Sequence, residues 1–106
     1  LPMSELCQDL CLTLLCPPAI EEKLLDVLLL SPSVMLFTST PTAAHGQAHE
    51  NLDQTEQVLG RARASKVQVI FAAADKAALL EAIRQKFAGA GLRYWMTTLV
   101  EAGVIA

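Results

Sequence analysis

Residues 61–87 read RARASKVQVIFAAADKAALLEAIRQKF, and two hydrophobic periods meet in them. Val67 and Val69 alternate with Gln68, the period of two that marks a strand with one buried face. From Asp75 onward, Ala78, Leu79, Ala82, Ile83 and Phe87 recur at the helical period. Asp75 stands where an N-cap is wanted, and Gly89 and Gly91 supply the stop. Upstream, Arg61 and Arg63 alternate with Ala62 and Ala64, one residue out of phase with the valines. A bulge near Ala64–Lys66 would join both halves in one long strand. The competing reading is a helix over about 48–64, with Leu52, Thr55 and Leu59 near one face; the strand is preferred.

The first half of the chain repeats this strand-then-helix order. Residues 10–16, LCLTLLC, are short and apolar, and Pro17-Pro18 suit a first helical turn, where no N–H is needed. Ile20, Leu24, Val27 and Leu28 then fall on one helical face, with Glu21 and Glu22 favourably placed against the helix dipole. Ser31-Pro32-Ser33 ends that helix, and a second strand runs from Val34 to about Thr40. Residues 41–57 show no sustained apolar period and read as a long excursion punctuated by Pro41 and Gly46. Such excursions in a small domain are usually functional or disordered. The closing segment LRYWMTTLVEAGVIA favours a strand over 92–100, with a short further strand at Val104-Ile105.

The order is βαββαβ, an α+β, ferredoxin-like arrangement: a four-stranded antiparallel sheet, two helices on one face, and a long loop between strands two and three. The expectation is a single domain over 1–106, with 1–8 a poorly ordered N-terminal extension. The sheet's other face has no cover within the chain. With 53% apolar and only 18% charged residues, the chain is apolar for its size, which points to burial of that face between subunits.

Charge and motifs exclude several functions. A net charge of −3 argues against a polyanion binder, and Tyr94, Trp95 and Met96 have Arg93 as their single flanking basic residue, so no nucleic acid is expected. Glu50, Asp53 and Glu56 are followed by Arg61, Arg63 and Lys66, a solvated loop beside its counter-patch. The run LLDVLLL (24–30) is broken by Asp26 and far too short to span a bilayer, and no basic signal region precedes it. The expectation is therefore a cytoplasmic protein without membrane insertion. Its Cys7, Cys11 and Cys16, at spacings matching no zinc finger, would be reduced. Ser39 and His45 lack the glycines of a nucleophile elbow, and neither GQ nor GAG makes a phosphate-binding signature, so no enzyme is read.

Two groups of polar residues remain. Thr38, Ser39, Thr40 and Thr42 form a hydroxyl run able to donate to a phosphate. His45 and His49 offer imidazole nitrogens to zinc or copper, with Cys16 and Glu50 as further ligands. A closed zinc site wants four ligands, so symmetry-related chains would have to contribute.

Several pieces then align in order with a known family. CLTLLCPPAIEEKLLDVL (11–28), FTST (37–40) followed by HGQ (45–47), SKVQVIFAAADKAALLEAI (65–83) and AGAGLRYW (88–95) together resemble the PII-like family, the nitrogen regulatory protein P-II relatives. These are trimeric ferredoxin-like signalling proteins with a long T-loop between strands two and three. The HG pair and the YWMTTLVEAGVI ending are similar to an uncharacterised PII-like subfamily found near heavy-metal efflux genes. The resemblance implies a homotrimer that binds a small effector, such as an adenine nucleotide, at subunit clefts. The loop over 40–57 would then signal to a regulated transporter or enzyme. Effector-binding residues would be Thr38, Ser39, Gln47, Gly89, Gly91 and Arg93. The alternatives are a metal-binding or metal-sensing accessory protein for heavy-metal homeostasis, through His45, His49, Cys16 and Glu50, and a trimeric interaction module without a small ligand. The chain departs from the family in a shorter glycine turn without its lysine, and in lacking a T-loop tyrosine.

Overall fold

The computed structural model describes residues 9–46 and 61–106. Within them the elements are β1 (Asp9–Cys16), α1 (Glu21–Leu29), β2 (Val34–His45), β3 (Arg61–Ala72), α2 (Lys76–Phe87) and β4 (Arg93–Thr98). The result is an α+β fold with four antiparallel-paired strands and two helices. The strand order is β2-β3-β1-β4. β1 and β2 flank β3, and β3 and β4 flank β1. Each helical connection therefore crosses over one strand that comes from the other half of the chain.

Register explains which side chains are buried. Leu12 lies opposite Val69 and Met96, and Leu14 opposite Val67 and Tyr94. Those pairs share one face of the pleat, since alternate residues of a strand point to the same side. The helices cover that face. Leu24 and Leu28 of α1 and Leu79, Ile83 and Phe87 of α2 join Leu12, Leu14, Cys16, Val67, Val69 and Phe71 in one core. Of the apolar stripes read from the sequence, Ile20 and Val27 border this core, whereas Ala78 is exposed.

The long strand β3 contains no bulge at 64–66: its pairing with β2 runs unbroken through those residues, and its pairing with β1 runs unbroken to Ser65. The phase change has a different cause. Ser65, Val67, Val69 and Phe71 are buried on the helix face, whereas Ala62 and Ala64 are buried on the opposite face with Ala44 of β2. One regular strand thus buries a different face at each end. The register shift lies in β2 instead, between Val34 and Leu36, where Met35 is the extra residue. It lets Val34 face the core and Leu36 the open side.

β2 extends five residues further than expected, to His45. Pro41, read as loop punctuation, is a strand residue opposite Ser65. Its missing N–H is tolerated because β2 is an edge strand, with β3 as its one neighbour. The strand ends at His45, and Gly46 after it has φ of +84°. Of the alternative helix over about 48–64, residues 61–64 are strand; its remainder and the expectation for 1–8 lie outside the described residues, as do Gln47, His49 and Glu50.

Asp75 occupies the N-cap position of α2, but its side chain makes no capping bond. A 3₁₀ turn over Ala73–Asp75 leads into the helix through the Lys76 N–H to the Ala73 carbonyl. At the other end, Gly89 has φ of +80°, the left-handed conformation that closes a helix where a Cβ would be strained. Residues 99–106 form no strand, so the strand expected at Val104-Ile105 is absent. Val104 and Ile105 are exposed. Among the described residues, no helix is long and apolar enough to cross a membrane.

Candidate ligand-binding face

The face of the sheet opposite the helices is where the candidate site lies. Its residues follow from register. One cross-strand row is Leu36, Ile70, Cys11 and Thr97; the next is Thr38, Gln68, Thr13 and Trp95; the third is Thr40, Lys66, Leu15 and Arg93. Leu36 and Trp95 are 58% and 44% exposed, large values for apolar side chains on a sheet. Ile70, Cys11 and Leu15 are half-buried. Thr13, by contrast, is only 4% exposed, enclosed at the centre of the middle row.

The third row carries the charge. Lys66 and Arg93 flank Leu15 from β3 and β4, two strand spacings or about 10 Å apart at the backbone. Thr40 adds a hydroxyl on the far side of Lys66. Among the described strand residues of this face the carboxylate is Asp9, opposite Ala72. It lies six residues along β1 from Leu15, about 20 Å away. The two cations are therefore uncompensated by any strand carboxylate nearby, a suitable setting for an anion with several oxygens.

The glycine turn joins this row. Gly89 and Gly91, with φ of +80° and +85°, connect α2 to Arg93 at the start of β4. A Cβ placed on Gly91 would come within 3.9 Å of Pro17 Cγ, so the turn lies against the β1–α1 connection. Arg93 is adjacent to Leu15 by pairing and to the turn by sequence. Thr38 is on the same face one row away, but on β2, three strands from Arg93. Ser39 is opposite Val67 and thus points to the helix side, away from the other candidates.

The proposed metal ligands are not brought together by the described residues. Cys16 pairs with Ser65, which pairs with Pro41, whereas His45 lies four residues further along β2, about 13 Å. The Cys16 side chain is on the core face and 1% exposed. Burial, and then the Glu21 carboxylate beside it, pushes its thiol above the ordinary value; the thiolate a metal needs is disfavoured. Glu21 is itself held by Ser65, whose hydroxyl donates to Oε1 at 2.6 Å. Among the described residues, no group of three or more His, Cys, Asp or Glu could hold a metal ion.

Lys66 is the residue that sequence reasoning missed, having read it as counter-charge to an acidic loop. The alternation S-K-V-Q-V already assigns Lys66 and Gln68 to the face that Val67 and Val69 do not use. What a single strand cannot reveal is that β1 and β4 bring Leu15 and Arg93 into line with it.

None of the curated proteins matches the chain. A crystal structure of a DUF3240 family protein from Shewanella baltica is similar to it, with a TM-score of 0.79 at 19% sequence identity, over 94% of this chain and 99% of that one; this likeness is one of fold. The family model described as "Protein of unknown function (DUF3240)" matches residues 6–106, and the chain belongs to that family.

Proposed function

We infer that this chain is a PII-like regulatory protein, cytoplasmic and without catalytic activity. It associates through the open sheet face into a homotrimer and binds a small anionic effector beside the third row of that face. The observation that carries this reading is the alignment of Thr40, Lys66, Leu15 and Arg93 across four strands. Two cations stand there next to an uncovered apolar surface that includes Leu36 and Trp95. A phosphate-bearing effector suits the cations, and a neighbouring subunit suits the apolar rows.

The finer architecture belongs to the same reading. The order β2-β3-β1-β4 reads four-one-three-two from the other edge, the order that two interleaved βαβ units generate and the basis for a ferredoxin-like assignment. The loop following His45 would transmit effector occupancy to a partner by a population shift: the effector must bind one loop arrangement better than another.

Thermal melting tests the reading. Adenine nucleotides with magnesium should raise the melting temperature, because a ligand that prefers the native state stabilises it. The rise should shrink in Arg93→Ala and in Lys66→Ala. Stabilisation by zinc or copper alone, abolished in His45→Ala/His49→Ala, would instead establish the metal-sensing alternative. No response to either would leave an interaction module.

A further inference from the structure

The opposite surface carries a second, independent feature. Lys23, Asp26, Val27 and Leu30 of the α1 segment and Lys86 and Phe87 of α2 line a cavity of about 280 Å³. This volume is just below the usual range for small-molecule sites, about 300–1,000 Å³, and suits a small ligand. Residues 23, 26, 27 and 30 recur at three- and four-residue intervals, so they share one helical face. The floor is apolar: Phe87 is buried and Val27 half-buried. Leu30 forms a lip at 84% exposure, and Leu29 beside it is 70% exposed. Ser31 ends the helix by donating its hydroxyl to the Val27 carbonyl at 2.8 Å, so this lip is fixed to the last turn.

We propose that this interhelical groove binds a small amphiphilic monoanion, a carboxylate with a short acyl or arylalkyl tail. Two ammonium groups against one carboxylate leave the lining a single net positive charge, which matches one carboxylate and not a polyphosphate. Lys23 and Lys86 form no ion pair among the described residues, and their amines sit on flexible stems that reach a head group at the rim. The tail would lie over Phe87, Val27 and Leu30, removing from water the apolar surface that the fold leaves uncovered. The groove is on the helix side, so covering the open sheet face in an oligomer leaves it accessible.

The test is a titration of the full chain with octanoate, followed by amide chemical shifts. Perturbations should centre on residues 23–31 and 84–88. Octylammonium, which the lysines repel, and acetate, which lacks the tail, should bind at least about tenfold more weakly. Lys23→Met and Lys86→Met should each lower octanoate affinity about two- to fivefold, the usual range for an exposed ion pair. Leu30→Glu lies at an exposed position, so folding is preserved, and it should lower affinity more than about tenfold by removing an apolar contact and adding repulsion. Nucleotide stabilisation should survive Leu30→Glu, which separates this proposal from the sheet-face reading. Octanoate binding unchanged by these three substitutions, equal binding of octylammonium, or perturbations centred on the sheet would each overturn the proposal.

Discussion

Ser65 and Glu21 are 44 residues apart in sequence, yet the serine hydroxyl donates to the Glu21 carboxylate at 2.6 Å. The bond ties β3 to the first turn of α1 where both meet Cys16. A charge-assisted bond in a partly buried place contributes more than a neutral one. Ser65→Ala should therefore destabilise the fold by about 1.5–3 kcal/mol, measured by urea unfolding. Cys16 predicts a pH dependence. Its thiol titrates above the ordinary value of 9.0 in the folded chain, because of burial and then Glu21. The unfolded chain therefore loses that proton first as pH rises. The stability this group contributes is fully present below about pH 9 and is lost as pH climbs through the folded value. Unfolding curves should show a decline above pH 9 that is reduced in Cys16→Ala. Lys66 shows what one strand can disclose: its face is set by the valines on either side, but its neighbours are set by pairing with β1.

The elements differ in how far their sequence specifies them. Both helices were legible because a continuous apolar stripe at the helical period has one solution, a helix lying on an apolar face. β1 and the main part of β4 were legible as short apolar or β-favouring runs. β2 was read too short, since Pro41 breaks most strands and only its place at a sheet edge makes it harmless. In β3 the phase change was visible, but its cause was not. Ala62 and Ala64 are buried on the face opposite Val67 and Val69, a distinction that depends on what covers each end. The α1 stripe gives a direct check on the packing account. Leu24→Ala, at a fully buried position, should cost about 2–5 kcal/mol. Leu29→Ala, at a position 70% exposed, should change stability by less than about 0.5 kcal/mol. Similar losses for the two would contradict the assigned helix orientation.

At the scale of the whole molecule, the helices cover one side of the sheet and nothing in the described chain covers the rows of Leu36, Ile70, Cys11 and Trp95 on the other. The sequence carried this as an apolar excess, and the structure locates part of it on that face. If the face mediates self-association, a charge within it should act on assembly more than on folding. Trp95→Glu and Leu36→Glu should shift sedimentation toward the single-chain mass while retaining the far-ultraviolet circular dichroism of the parent. The effector site was less legible than the fold, since of the residues expected there only Gly89, Gly91 and Arg93 adjoin one another; Thr38 shares the face but lies three strands away, at least about 14 Å, Ser39 faces the helix side, and Gln47 lies outside the described residues.

The most direct measurement is titration calorimetry of magnesium–ATP into the chain and into its Lys66→Ala and Arg93→Ala variants. The account predicts saturable binding by the parent chain and an affinity at least about tenfold lower in each variant, the loss expected from deleting a charge-assisted contact to phosphate. Undetectable binding by the parent, or affinities that ignore both substitutions, would contradict it.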